Sequence, residues 1–380
     1  MLEISFNQTI EMAEAARNCA SKYWLESQKK PVQQRFTVTD ECVPLTDGFQ
    51  HCKQGFFMPA SATVFMFSGQ GSQYFQMGRG LYDNNNIFRK WMIRLDDMAR
   101  DLCGRSVIEA IYSDGHRKAD PFARTLLTHP AIFMVEYSLA QCLVSSGVLP
   151  DMVLGASLGS FAAAAVGGFI DVEDALTAVL RQAIFLEECC EPGSMIAVLA
   201  DPALFAEKFL SDHSELAAIN FSSHFVISTS LPELTEIEAV LKERNISYQR
   251  LPVSYAFHSR WIDNAKSPFE SFMRTMRCKQ GQVPLVCCQD RAVLSSLSDG
   301  YFWSVVRQPI RFHEAIEQLE QTGSHRYIDL GPAGTLATFL KYGMPAKNTV
   351  SRIHAILTPF GFDQKNLAAL LASSEVQAYQ

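Results

Sequence analysis

The segment Met152-Val153-Leu154-Gly155-Ala156-Ser157-Leu158-Gly159-Ser160-Phe161 leaves its backbone few choices. The apolar run reads as a buried strand and the small residues after Gly159 read as a helix, so a sharp turn must join them within G-x-S-x-G. A serine on such a strand-to-helix turn projects its hydroxyl above the sheet, and flanking glycines let the backbone fold tightly without a Cβ clash. The helix launched there begins with unpaired N–H groups that can stabilise negative charge beside the serine. The same pattern also arises by chance in Gly/Ser-rich turns, so other segments must carry the reading.

Those segments predict a parallel α/β protein. From Ala62 the chain reads strand (Thr63 to Phe67), Gly-rich loop, helices, strand, elbow and helix. Between about 194 and 254 the rhythm changes to strand MIAVLA, helix PALFAEKFLSD, strands AAIN and HFVIST, helix LPELTEIEAVLKER and strand YQRLPVS. That βαββαβ order is a ferredoxin-like unit inserted in a larger α/β subdomain covering 61–193 and 255–365. After it, VPLVCC and RYIDL read as buried strands, with WSVVRQP and FHEAIEQLEQ as helices and 366–380 as a tail. Residues 1–60 read as an appendage with a helical pattern near 8 to 28, whose Met12, Ala16, Cys19 and Tyr23-Trp24 suit docking onto a core. Met58, just before the first strand, leaves open a start site downstream of that extension.

A chain of 380 residues, 48% apolar and 19% charged, can bury a sizeable core in one large or two moderate domains. A net charge of −7 without a Lys/Arg-rich run speaks against nucleic acid and for small-molecule or protein substrates. The ten cysteines show no C-x-x-C pair, and adjacent Cys189-Cys190 and Cys287-Cys288 are poor disulfide frameworks. Reduced, mostly buried thiols in a cytoplasmic protein are expected, with no metal site. Neither a signal peptide nor a membrane span is expected.

A serine hydroxyl needs a base to take its proton. Of nine histidines, His258 in VSYAFHSR stands where the inserted unit returns to the main subdomain, a crossing point where clefts form. His129 in THPA is a second candidate, although before Pro130 it also suits a helix start. Phe67-Ser68-Gly69-Gln70-Gly71-Ser72-Gln73 ends the first strand in a glycine-rich loop that lacks the lysine of a phosphate cradle. An amide of this loop, with the N–H after Ser157, could instead hold the oxygen of a tetrahedral intermediate.

FSGQGSQ, THPAIF, GASLGS, YAFHS and IDLGPAGTL stand in an order and spacing that resemble the malonyl-CoA:acyl carrier protein transacylase family, the acyltransferases of fatty acid and polyketide synthases. The resemblance runs from about 62 to 360. It implies an α/β-hydrolase-like core with a ferredoxin-like small subdomain, Ser157 as nucleophile, His258 as general base, and the amides of Gln70 and Leu158 as oxyanion hole. It also implies a main-chain carbonyl, at Val305, that steadies the histidine.

The departures from that family bear on substrate. Where malonyl-specific members place an arginine 25 residues after the serine, this chain has Gln182, a neutral amide in place of a bidentate cation. Arg181 is adjacent, but one residue turns a helix by about 100° and points it elsewhere. Ala156 replaces the family's histidine, Ser160 its glutamate and His129 its glutamine; Gln182, His129, Ala156 and Phe257 are the implied acyl-pocket residues. The chain is most similar to the discrete acyl hydrolases of trans-acyltransferase polyketide synthases. The implied role is removal of stalled acyl groups from acyl carrier proteins, with no cofactor beyond the substrate's own phosphopantetheine, although coenzyme A could be an acyl donor. A trans-acting acyltransferase that moves malonyl or another, unusual acyl group from coenzyme A to acyl carrier protein and a silent docking domain are the alternatives. For an acidic carrier protein, Lys341, Arg260, Arg274, Arg277 and Lys279 are the candidate contacts, and no nucleic acid or membrane partner is expected.

Overall fold

In the computed structural model, residues 61–344 and 350–378 are described; the expectations for residues 1–60 lie outside them. Strand β1 (Ser61–Phe67) and β2 (Met152–Gly155) form the middle of a sheet. The second group, β3 (Gly193–Val198), β4 (Glu215–Phe221), β5 (His224–Ser230) and β6 (Tyr248–Arg250), forms another. Then come β7 (Leu285–Cys287), β8 (Ala292–Leu294), β9 (Ser324–Asp329) and β10 (Arg352–Ala355), which rejoin the first. The large sheet has the order β10-β9-β1-β2-β7-β8 and is parallel except for β8.

The central strands lack the alternation of a half-exposed sheet because helices cover both faces. Val64, Phe65, Met66 and Phe67 of β1 and all of β2 are buried. Phe65, Phe67, Phe133, Phe161 and Phe169 are fully buried in one continuous core, each stabilising it by about 1.5–3 kcal/mol. Register pairs Phe67 with Gly155 and Gly155 with Cys287, so Ser68, Ala156 and Cys288 leave the sheet at one level. That level is the carboxyl edge of the parallel strands, where crevices open in α/β sheets.

The inserted sheet is antiparallel with the order β4-β5-β3-β6, the ferredoxin-like arrangement. Its first helix differs from expectation. Pro202 and the extended Glu207 split it into a 3₁₀ turn, Pro202–Ala206, and one helical turn, Lys208–Ser211. Entry and exit of the insertion touch: the Gly193 N–H donates to the Ser254 carbonyl at 3.0 Å, and a Cβ at Gly193 would lie 2.8 Å from Ala256. The expected tail is instead part of a helix, Asp363–Ala378, because Leu367 and Leu370 share one face and are buried in the main core. Strands β8 and β10, beyond those expected from the sequence, form the two edges of the large sheet. No helix among the described residues is long and apolar enough to cross a membrane.

Candidate active site

Close packing shapes the elbow. A Cβ at Gly155 would lie 2.3 Å from Ser160 Cα, and one at Gly159 would lie 2.2 Å from the Phe67 carbonyl oxygen. With both ends of the turn pressed against backbone, Ser157 takes the left-handed region at φ 55°, which costs a non-glycine residue about 1–2 kcal/mol. Its hydroxyl is thereby lifted off the sheet edge at the start of the helix Gly159–Val166.

Ser157 Oγ lies 2.8 Å from His258 Nε2, across 101 positions of sequence. His258 also has positive φ, 59°, two residues beyond the contact that closes the insertion. Its amide donates to the Val306 carbonyl at 3.0 Å, and its Nδ1 lies 2.7 Å from the Gln308 carbonyl oxygen. A carbonyl only accepts, so Nδ1 carries the proton and Nε2 offers its lone pair to the serine O–H. Burial draws the imidazolium pKa down to about 4, against the Gln308 hydrogen bond and with help from Arg307, so the ring is a neutral base.

The carbonyl expected at Val305 is therefore Gln308's. The helix Tyr301–Arg307 ends one residue earlier, and Gln308 precedes Pro309, which forces it extended at ψ 155° and turns its carbonyl out of the helix. Val305 lines a narrow cleft beside Ser157 with Ser160, Cys288 and Gln308. The Ile310 N–H donates to the Ala217 carbonyl at 2.8 Å, and the Ile219 N–H donates to the Ile310 carbonyl at 2.9 Å. The base's anchor is thus stitched to β4 of the small subdomain.

The glycine-rich loop lies against the elbow: a Cβ at Gly69 would meet the Ala156 carbonyl oxygen at 2.9 Å and Ser157 Cβ at 3.0 Å. Neither the Gln70 nor the Leu158 N–H has a protein acceptor among the described residues, so both can serve an oxyanion. Below the loop, Glu136 Oε1 accepts from the Ser68 N–H at 2.6 Å and the Ser68 hydroxyl at 2.9 Å. Burial and nearby Asp329 hold the Glu136 pKa well above its ordinary value, against those two hydrogen bonds. Asp329 is itself pushed up to about 6 by burial, although it accepts from the Gly331 and Ala337 N–H groups, each at 2.8 Å. Neither carboxyl is among the site residues expected from the sequence. Their one signal was a lone acid inside an apolar run, AIFMVEYSLA and RYIDL.

The helices Thr125–Ser145 and Val172–Cys189 pack together. At one end the Leu126 N–H donates to Glu187 Oε1 at 3.0 Å, and at the other Tyr137 feels the charge of Glu173. The pair is thus antiparallel and brings His129 level with Gln182. Both are buried, and neither the ring nitrogens of His129 nor Oε1 and Nε2 of Gln182 have a hydrogen-bond partner among the described residues. Burial takes the His129 pKa down to about 3. Its ring lies 5.6 Å from that of Phe257, the neighbour of His258. Thr128 Oγ1 accepts from Gln70 Nε2 at 2.7 Å, while Gln70 Oε1 is buried without a partner among the described residues. Arg181 is exposed, with its guanidinium over Phe272. Ala156 is buried, and its N–H is taken by the Phe67 carbonyl.

The acyl transferase domain family model matches residues 64–377. The chain belongs to this family. Polyketide biosynthesis acyltransferase homolog BaeD of Bacillus velezensis is 47% identical over 305 residues, 80% of this chain and 94% of that protein. Homolog PksD of Bacillus subtilis is 46% identical over 310 residues, with the same coverage of 80% and 94%. Among solved structures, the acyltransferase domain from the second module of the salinomycin polyketide synthase superposes with a TM-score of 0.71 at 27% identity, over 81% of this chain and 72% of that one. As a member of this acyl-transferring family, the chain presents a serine–histidine pair and two free amides where an acyl-serine would form.

Of the candidate carrier contacts, Arg260 pairs with Glu215 at 2.9 Å and Lys279 with Asp171 at 2.7 Å, while Arg274 donates to the Ser271 hydroxyl at 2.7 Å. Arg277 and Lys341 are exposed and have no ion-pair partner among the described residues.

Proposed function

We propose that the protein is a trans-acting acyl hydrolase that clears stalled acyl groups from the acyl carrier proteins of a polyketide synthase. His258 Nε2 takes the Ser157 proton as the serine attacks the thioester carbonyl, and the Gln70 and Leu158 amides hold the resulting oxyanion. The C–S bond breaks, the pantetheine thiolate leaves with the proton from His258, and an acyl-serine remains. Water, deprotonated by the same ring, then attacks that ester; the serine oxygen regains a proton and the carboxylic acid departs. General-base assistance is worth about 10²–10⁴ and an oxyanion donor about 10²–10³. The residues need no metal or organic cofactor for these steps. The reaction is assigned to the cytoplasm, and Lys341 and Arg277 are offered as contacts for an acidic carrier.

The observation that carries the reading is the buried, uncharged pair Gln182 and His129 beside a complete dyad. A malonyl carboxylate there would have no counter-charge, at a cost of about 3–5 kcal/mol. Arg181, turned onto Phe272, supplies none. The names of the Bacillus relatives, both acyltransferase homologs, favour transfer as the second reading. Mass spectrometry of the protein incubated with acetyl-, longer acyl- and malonyl-carrier protein separates them. Free acid from the acetyl or longer acyl carriers supports hydrolysis. Acyl appearing on a second carrier without free acid would establish transfer, efficient malonyl loading would overturn the substrate assignment, and no adduct on Ser157 would leave only a docking role.

A further inference from the structure

The polar atoms around Gln182 are unusual in number and place. Gln182 Oε1 and Nε2, both ring nitrogens of His129 and Gln70 Oε1 are all buried and have no hydrogen-bond partner among the described residues. Leaving one such group unsatisfied costs about 1–3 kcal/mol, and folded proteins keep few of them. Four of these five atoms belong to one helix pair and the fifth to the loop that Thr128 holds against it, which marks a place prepared for a partner that the chain itself does not supply.

We propose that the acyl site selects an acyl chain with an uncharged hydroxyl group near its carbonyl, the β-hydroxyacyl thioesters above all, held by Gln182, His129 and Gln70. The inference rests on Ser157 forming an acyl-serine. The set of atoms defines the chemistry: the glutamine amide and the neutral imidazole each offer a donor and an acceptor, and Gln70 Oε1 adds an acceptor. A hydroxyl both gives and takes a hydrogen bond, so it satisfies such a set, whereas a methylene satisfies none of it. A carboxylate would find no cation, since His129 stays neutral and Arg181 faces away. Position follows from Gln70, whose N–H faces the oxyanion while its side chain, fixed by Thr128, belongs to the cluster. The recognised group thus lies within one glutamine side chain of the thioester carbonyl, which is the reach of a β-substituent. Phe257, whose ring lies 5.6 Å from that of His129, precedes His258 in the chain and links the cluster to the dyad from a second side.

The test compares 3-hydroxybutyryl- and butyryl-pantetheine, both enantiomers of the former, as acyl donors to Ser157 of the full-length protein, read by intact mass. Pantetheine thioesters keep carrier docking out of the comparison, and scoring the acyl-serine keeps the inference separate from the fate of the acyl group. The expected result is a kcat/KM ratio of about 10 or more in favour of one hydroxyacyl enantiomer. In Gln182→Leu and His129→Phe the ratio collapses toward one, with a thermal midpoint no lower than that of the parent. A parent ratio near one, as when water alone satisfies the cluster, or a ratio retained in both variants, would overturn the inference. No adduct from any thioester would overturn the proposed function, and the inference with it.

Discussion

Ser157 and His258, both in the left-handed region, are brought to 2.8 Å by contacts from different parts of the chain. Two predictions belong at this scale. In Gln182→Arg a cation enters the acyl pocket, and malonyl acylation of Ser157 should rise by two to four powers of ten, corresponding to the about 3–5 kcal/mol of an unpaired buried carboxylate. An unchanged acyl profile in intact-mass assays would remove Gln182 from the acyl pocket. The second concerns the base. Because burial lowers the His258 pKa to about 4, the rate of serine acylation should stay level from pH 8 to about 5 and fall only as the ring protonates near 4. A limb near 6.5 in stopped-flow assays would mean a solvated imidazole. The serine and the histidine were legible because their motifs are local. The anchoring carbonyl was misplaced from Gln308 to Val305 because its direction depends on how Pro309 ends a helix, which spacing alone does not reveal.

At the scale of elements, the oxyanion loop depends on a carboxyl in the helix beneath it. Glu136 is uncharged when its pKa lies well above the ordinary value, and the unfolded chain ionises it above about 4.5. The folded state then holds more protons, so this group's contribution is full at acid pH and is lost as pH rises through its folded pKa. Glu136→Gln keeps an acceptor for Ser68 and removes that loss; at pH 8 its urea midpoint should equal or exceed the parent's. Glu136→Ala strands the Ser68 donors and should cost about 2–4 kcal/mol, with slower acylation. A lower midpoint for the glutamine variant would show that the carboxyl acts as an anion. The parallel sheet and the inserted unit were readable from apolar periodicity and from the order of strands and helices. The short strands β8 and β10 carry three and four residues, too few for a period, and the final helix was hidden because its burial comes from the core it meets.

For the whole molecule, histidines held neutral by burial shape the acid response, His224, His325 and His354 in the same direction as the two of the site. His129 and His258 have folded pKa values lowered to about 3 and about 4, whereas the unfolded chain protonates both below about 6.5. The unfolded state binds more protons over that window, so these groups withdraw stability as pH falls from 6.5 toward 4. Asp329 and Glu136, with raised values, act in the opposite sense and offset part of it. His129→Phe removes one of these proton sinks, and its thermal midpoint should drop less than the parent's between pH 7 and 5; an equal drop in calorimetry would mean that His129 is already charged in the folded protein. The seam between the subdomains has a consequence for control of reactivity. Gln308, which selects the histidine tautomer, is continuous with Ile310, and Ile310 is laced to β4 of the other sheet. Parting the two sheets would free that carbonyl and let the imidazole exchange tautomers, so the serine loses its proton acceptor before either residue has moved far. The reactivity of Ser157 is in this way tied to how closely the two sheets are held together.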